Sequence, residues 1–148
     1  MSFRGQFEHT LDAKDRLTVP SRFRAALADG VVLAKGLHPS VWVFSPEGYE
    51  RFTQRFLGTT NPLGQKGRKM RVYFAGNSFD ETIDSAGRIR IPKKLMEHAS
   101  LDEGPCAVVG ADEWFEIWTP DAWSSYEKDL DAEIADVAEN LAEAGGSE

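Results

Sequence analysis

A stretch of eleven residues near the start of the chain recurs in its second half. Thr10–Pro20 (TLDAKDRLTVP) returns as Thr82–Pro92 (TIDSAGRIRIP), at an offset of 72 positions in a chain of 148 residues. Thr, Asp, Arg and Pro are identical at matching places, and the apolar positions match in kind. An internal repeat constrains the fold more than any other feature, because both copies must form the same structural unit.

A second pair of segments extends the repeat. Val43–Tyr49 aligns with Ile117–Trp123 at an offset of 74, which favours duplication over coincidental strand patterns. One half of about 70 residues is marginal as a separate domain. We therefore expect a shared core with pseudo-twofold symmetry, made of a first repeat (1–57), a linker and connecting helix (58–76) and a second repeat (77–148) that ends in a long helix.

Each copy of the repeat predicts a β-hairpin, because apolar and polar residues alternate on both sides of a short polar break. Three residues separate Asp from Arg in both copies, Asp12–Arg16 and Asp84–Arg88. A three-residue hairpin loop is typically a type I turn followed by a left-handed residue. That residue is Asp15 in the first copy and Gly87 in the second, where glycine has no steric penalty.

The Asp and Arg side chains that flank each turn are the candidate functional residues. The carboxylates of Asp12 and Asp84 can accept turn N–H groups or hold a guanidinium. Arg16 and Arg88, so held, can reach phosphate oxygens or the O6/N7 edge of guanine, and Lys14 lies in the first turn. A single copy would favour a purely structural ion pair, whereas two copies on one body favour a binding role.

The net charge of −7 is unevenly distributed along the chain. Residues 1–100 hold 16 Lys or Arg against 10 Asp or Glu, whereas residues 101–148 hold one against 14. An acidic total normally counts against nucleic acid as a partner, because Lys and Arg neutralise the phosphates. The segregation weakens that objection, since a basic body with an acidic end can still present a positive face.

Several classes of protein are not indicated by the sequence. The single cysteine, Cys106, fits a reducing compartment, and no apolar run approaches the ~20 residues of a membrane span. We expect a cytoplasmic protein with no membrane association. No phosphate-binding loop, dinucleotide motif or nucleophile elbow occurs, and the three histidines show no metal-ligand spacing. We therefore predict no catalytic residue, no metal, no cofactor and no small-molecule substrate, and not an enzyme.

The C-terminal region predicts a helix of about 20 residues with an apolar stripe and an acidic opposite face. The stripe comprises Trp123, Tyr126, Leu130, Ile134, Val137 and Leu141. We interpret it as a surface that packs on the body of the protein or on a neighbouring subunit.

The paired D-x-x-x-R elements resemble a motif of the MraZ proteins. So do the opening Phe3-Arg4-Gly5, the segment Glu8–Lys14 (EHTLDAK) and Phe74-Ala75-Gly76 before the second copy. The resemblance implies a mainly β fold with peripheral α-helices, in which two AbrB-like swapped-hairpin halves form one pseudo-twofold β-barrel. One departure is Asp15, where the family usually has glycine. We expect this acidic residue to strain the first turn and to weaken phosphate approach there.

The same resemblance implies a sequence-specific, nucleoid-associated DNA-binding regulator of the division and cell-wall operon, its own gene included. It implies a ring-like homo-oligomer that engages short, G-rich direct repeats in double-stranded promoter DNA. Arg16 and Arg88 then correspond to the motif arginines, and Asp12 and Asp84 to the motif aspartates. The alternative is a protein-interaction or scaffold module of AbrB-like fold, which would act like an antitoxin or modulate an enzyme. The long C-terminal helix is the feature that suggests this alternative.

Overall fold

The computed structural model describes residues 2–146, which form one eight-stranded antiparallel sheet with helices at its periphery. The first half holds β1 (Gln6–Leu11), β2 (Arg16–Thr18), α1 (Ser21–Arg24), a 3₁₀ turn (Ala25–Leu27), β3 (Val31–Lys35), β4 (Val41–Phe44) and α2 (Pro46–Phe56). Helix α3 (Gln65–Gly76) leads to the second half, which holds β5 (Ser78–Glu81), β6 (Arg88–Arg90), α4 (Lys93–His98), β7 (Gly104–Gly110), β8 (Phe115–Trp118) and α5 (Pro120–Gly146). In the part of the chain described, no helix is long and apolar enough to cross a bilayer.

The two halves exchange strands. The sheet runs β5-β3-β4-β8-β7-β1-β2-β6, so the first strand of each half pairs with the third strand of the other half. Where β2 meets β6, Leu17 lies opposite Ile89; where β4 meets β8, Trp42 lies opposite Glu116. Each of these pairs joins equivalent positions of the repeat, so the pseudo-twofold axis passes through both contacts.

The second turn brings the two ends of the sheet together. β5 and β6 are its outermost strands, and the chain connects them directly through the Asp84–Arg88 turn, where the Asp84 N–H donates to the Arg88 carbonyl at 2.9 Å. The sheet is therefore a nearly closed barrel with five peripheral helices, which confirms the predicted fold class.

Alternation along the strands divides the apolar residues between two clusters. The interior is filled by residues such as Leu11, Leu17, Val43, Ile89 and Ile117, all 0 % exposed. A second cluster lies between β3–β4 and the helices α2 and α3; its members are Val32, Ala34, Trp42, Phe44, Phe52, Leu57 and Phe74. Strands β3 and β4 are consequently buried on both faces, which explains their continuous apolar runs.

Helices α2 and α5 begin with the same kind of side-chain cap. The hydroxyl of Ser45 accepts the Gly48 N–H at 3.0 Å, and Thr119 accepts the Ala122 N–H at 3.2 Å. A proline follows each cap at the first helical position, where its missing N–H costs no hydrogen bond. Helix α5 has 27 residues rather than about 20.

Only the beginning of the α5 stripe packs on the barrel. The rings of Trp123 and Tyr126 lie 5.6 and 5.0 Å from the ring of Trp118, which is buried. Beyond Leu130, residues 131–145 are all exposed. The rest of the stripe thus has no place in the core of this chain.

Candidate nucleic-acid interface

The first hairpin turn is organised by the carboxylate of Asp12. Its Oδ1 accepts the backbone N–H groups of Lys14 at 2.9 Å and Arg16 at 3.0 Å. Its Oδ2 accepts from Nε of Arg16 at 2.7 Å. One oxygen therefore fixes the turn, and the other holds the guanidinium.

The second turn repeats this network. Oδ1 of Asp84 accepts the N–H groups of Ala86 and Arg88, both at 2.9 Å, and Oδ2 accepts from Nε of Arg88 at 2.9 Å. The short side chain of Asp can reach both the turn and the guanidinium. This geometry explains why Asp precedes Arg by four positions in both copies.

Hydrogen bonds keep both carboxylates ionised. The Arg16 N–H is the main cause that lowers the pKa of Asp12 to about 2; the Arg16 guanidinium and the Lys14 N–H act in the same direction. The Arg88 N–H likewise lowers the pKa of Asp84. At neutral pH each turn therefore contains a carboxylate–guanidinium pair.

The Asp clamp leaves part of each guanidinium for other acceptors. Both arginines bond to Asp through Nε, and among residues 2–146 their Nη atoms have no hydrogen-bond acceptor. The Arg16 and Arg88 side chains are 30 % and 34 % exposed. Each guanidinium is thus oriented by the protein while two of its nitrogens stay available to a ligand.

The pairing of β2 with β6 places these arginines on one surface, called here the arginine ribbon: Arg16, Thr18, Arg88 and Arg90. Arg16 lies opposite Arg90, and Thr18 lies opposite Arg88. Leu17 and Ile89, which alternate with them, are buried in the barrel, so the ribbon residues face outward. Arg16 and Arg88 are diagonal neighbours, at a backbone separation of about 7–8 Å.

Each turn is also bonded to the opposite strand. The carbonyl of Gly87 accepts the Val19 N–H at 2.9 Å, and the carbonyl of Asp15 accepts the Ile91 N–H at 2.8 Å. Both turn residues have positive φ, +61° at Asp15 and +77° at Gly87, which confirms the predicted hairpin type. These bonds extend the ladder at both ends, so the ribbon is a rigid platform.

The two left-handed positions have different surroundings. The carboxylate of Asp15 lies 3.8 Å from Nζ of Lys93, a residue of α4. The guanidinium of Arg24 packs against Gly87 where a Cβ would otherwise lie, and its Nε donates to the Val19 carbonyl at 2.9 Å. The charge of Asp15 is therefore partly offset by a neighbour, whereas Gly87 suits the left-handed backbone angle and leaves room for the Arg24 guanidinium.

The predicted site residues fall into two groups. Arg16 and Arg88 lie on the ribbon with Asp12 and Asp84 beside them, whereas Lys14 is an exposed residue of the first turn. Sequence reasoning missed Arg90, whose counterpart in the first copy is Thr18. The alternation Arg88-Ile89-Arg90 was the available signal, because residues two apart in a strand share a face.

Comparisons with known proteins place most of the chain in one family. Residues 2–67 and 74–144 match the model of the family described as "MraZ protein, putative antitoxin-like". Two similar proteins, from Thermoanaerobacter pseudethanolicus and Ligilactobacillus salivarius, are each 36 % identical over 140 residues, 94 % of this chain and 96 % of theirs. One from Kocuria rhizophila is 38 % identical over 141 residues, 94 % of this chain and 96 % of its own. All three bear the name "Transcriptional regulator MraZ".

Proposed function

The chain belongs to the MraZ family, and on that premise we propose that it is a transcriptional regulator that binds double-stranded DNA through its arginine ribbon. The observation that carries the proposal is the pair of identical Asp-clamped arginines side by side on one rigid outer surface. Asp12 and Asp84 position Arg16 and Arg88, which contact the DNA, and Lys14 adds a contact from the first turn.

The ribbon is a pair of neighbouring strands, one of the elements that DNA-binding proteins use. A two-stranded β-ribbon fits the major groove of B-DNA, where a guanidinium can bond the O6 and N7 of guanine. Since Nε is occupied by Asp, the Nη atoms are the ones that make this contact. Three arginines close together repel one another, and a polyanionic partner would relieve that repulsion.

The regulated DNA, we propose, is the promoter of the division and cell-wall operon, in which the chain reads short direct repeats. One ribbon makes few base contacts, so a homo-oligomeric ring that engages several repeats at once would raise the affinity through effective concentration. Such a ring requires head-to-tail interfaces that close.

A fluorescence-anisotropy titration on the upstream region of its own operon tests the proposal. Arg16→Ala with Arg88→Ala is expected to weaken binding at least about 30-fold and to reduce its salt dependence, since each good arginine–guanine pair contributes about 1–3 kcal/mol. Arg51→Ala with Arg55→Ala, on α2, is the matched control and should retain affinity. Unchanged affinity and salt slope in the Arg16/Arg88 variant would show that the ribbon does not bind DNA.

A protein-interaction module remains the second candidate, because α5 exposes an apolar stripe beyond Leu130. A chain that ends at Leu130 separates the two functions, since it keeps Trp123 and Tyr126 on the barrel. Binding to a single DNA repeat should survive this truncation. Loss of a protein partner without loss of that binding would assign the interaction role to the removed segment.

A further inference from the structure

The second half of α5, residues 131–145 and called here the α5 arm, is exposed along its whole length. Ile134, Val137 and Leu141 are 55 %, 45 % and 68 % exposed. The arm carries five acidic residues and no Lys or Arg; the acids are Asp131, Glu133, Asp136, Glu139 and Glu143. It is thus an acidic helix with an uncovered apolar stripe.

Such an arm is poorly supported by its own chain. A helix of about 15 residues is marginally stable in water unless packing adds to it. At 1.5 Å per residue the arm is about 22 Å long, and its three large apolar side chains follow helical spacing. A stripe of this kind is typical of a helix face that packs on another surface.

A surface with the opposite charge lies on α3. Its outer face borders a shallow open space of about 560 Å³, called here the α3 groove and lined by Gln65, Arg68, Lys69, Val72 and Tyr73. This spacing of 3, 4, 7 and 8 positions is one face of a helix. Val72 is 53 % exposed at its centre, and residues 51–79 hold six Lys or Arg and no Asp or Glu.

We propose that the α5 arm of one subunit docks in the α3 groove of the next subunit. The inference names an interface for the homo-oligomer proposed above and rests on it. Ile134, Val137 and Leu141 cover Val72 and the ring of Tyr73, while Asp131 and Glu133 face Arg68 and Lys69. Apolar contact supplies the affinity, and the opposite charges set the pairing.

Charge favours the α3 groove over a second α5 arm as the surface on which the α5 arm packs. The stripe Leu130, Ile134, Val137, Leu141 has the 4-3-4 spacing of a coiled-coil seam. Asp131 and Glu133, however, flank that seam on its two sides, so two arms would place like charges against each other with no basic residue to offset them. This repulsion disfavours the pairing of two α5 arms with each other.

The position of the groove leaves the arginine ribbon free. In the order of strands, β2–β6 and β4–β8 lie at opposite poles of the barrel. Helix α3 covers β3, and the start of α5 covers β7, the two strands that flank β4–β8. Because the arm and the groove are different surfaces, their contact is heterologous and can generate a ring.

Charge reversal tests the interface. The arm variant is Asp131→Lys with Glu133→Lys, and the groove variant is Arg68→Glu with Lys69→Glu. We expect each to raise the subunit concentration at which half the protein is assembled at least tenfold, as measured by light scattering. The combination of all four substitutions should restore assembly, because the charges are again opposite. Asp136→Lys with Glu139→Lys, away from the stripe, is the matched control and should change assembly much less.

The outcomes separate this inference from the proposed function. Full assembly in both reversal variants would overturn the interface while leaving the ring in place. A wild-type chain that stays monomeric with and without operator DNA would overturn both the ring and the interface. Affinity for one DNA repeat, measured by anisotropy on the same variants, should stay unchanged; a loss in the groove variant with assembly intact would show that DNA occupies the α3 groove instead.

Discussion

At the level of single residues, the two oxygens of each motif Asp do different work. Oδ1 of Asp12 and of Asp84 fixes the turn through two backbone N–H groups, whereas Oδ2 holds the arginine through Nε. Asparagine in place of Asp still fixes the turn, because its carbonyl oxygen can accept the backbone N–H groups. It no longer holds the arginine, because its NH₂ group is a donor and cannot accept a hydrogen bond from Nε. This difference separates turn stability from arginine positioning.

The double variant Asp12→Asn with Asp84→Asn should therefore keep the fold and lose affinity. We expect a melting temperature close to that of the wild type but at least a tenfold weaker dissociation constant for operator DNA, because the guanidinium groups are no longer pre-oriented. Circular dichroism and anisotropy give the two quantities. Asp12→Ala with Asp84→Ala is the comparison, and it should also lower the melting temperature. Wild-type affinity in the Asn variant would exclude a positioning role for the carboxylates.

The lowered pKa of Asp12 has a definite consequence for stability. Its folded value of about 2 lies below the ordinary value of about 3.9, so ionised Asp12 stabilises the fold above about pH 4, and this contribution is lost as the pH falls through 2. The melting-temperature difference between wild type and Asp12→Ala should be constant from pH 5 to 8 and shrink below pH 4. A difference that changes between pH 6 and 8 would point to another titrating group.

Asp15 holds the left-handed position in the first turn that glycine, Gly87, holds in the second. Asp15→Gly should tighten DNA binding several-fold, because it removes a negative charge beside Arg16. Stability should change by less than about 1 kcal/mol, since relief of the left-handed backbone is offset by the greater freedom of glycine in the unfolded chain. Lys93→Ala tests the other side of the 3.8 Å pair and should weaken binding. Weaker binding by Asp15→Gly would mean that the carboxylate has a positive role in the site.

The repeat made most of this local geometry predictable. The D-x-x-x-R spacing occurs in both copies. It predicted a three-residue turn, a left-handed residue in that turn, and Asp and Arg side chains that face each other across it. Arg90 was not predictable from the repeat, because its counterpart is Thr18, and its position depends on the pairing of β2 with β6. The contact between Asp15 and Lys93 could not be predicted from the sequence either, because it forms only when α4 of the second half packs beside the first turn.

At the level of elements, α5 is one helix with two environments. Its first turns cover Trp118, whereas the arm is exposed. The helical spacing of apolar residues predicted the helix but not where its contact with the barrel ends, because the stripe continues unchanged from Trp123 to Leu141. The lengths of β7 and β8 decide which part of the stripe the barrel covers.

Two truncations test this division of α5. A chain ending at Leu130 and a chain ending at Ala122 both lack the arm, so any effect of assembly on stability is matched between them. The shorter chain also lacks Trp123 and Tyr126, and it should be less stable by about 2–4 kcal/mol because Trp118 loses its cover. That loss corresponds to a melting temperature lower by about 5–10 °C, measured by calorimetry. Equal melting temperatures would show that the start of α5 does not support the barrel.

At the level of the whole molecule, exchange of strands makes the halves interdependent. Strands β1 and β2 pair with β7 and β6, and β5 pairs with β3, so each half completes the sheet of the other. The sequence predicted a shared core because 70 residues bury too little surface alone. It did not predict the register, in which Leu17 lies opposite Ile89 and Trp42 lies opposite Glu116.

This interdependence predicts how the protein responds to a cut between its halves. Leu63 is highly exposed and lies outside every strand and helix, so a protease site placed there can be cleaved without loss of sheet pairing. The cleaved fragments 1–63 and 64–148 should elute together and keep the circular dichroism spectrum of the intact chain. Their melting temperature should fall on dilution, because unfolding now separates two molecules. Fragment 1–63 by itself should show no cooperative unfolding as a monomer, since each of its four strands lacks the neighbour that the second half supplies. A cooperative transition there would mean that one repeat is a domain in its own right.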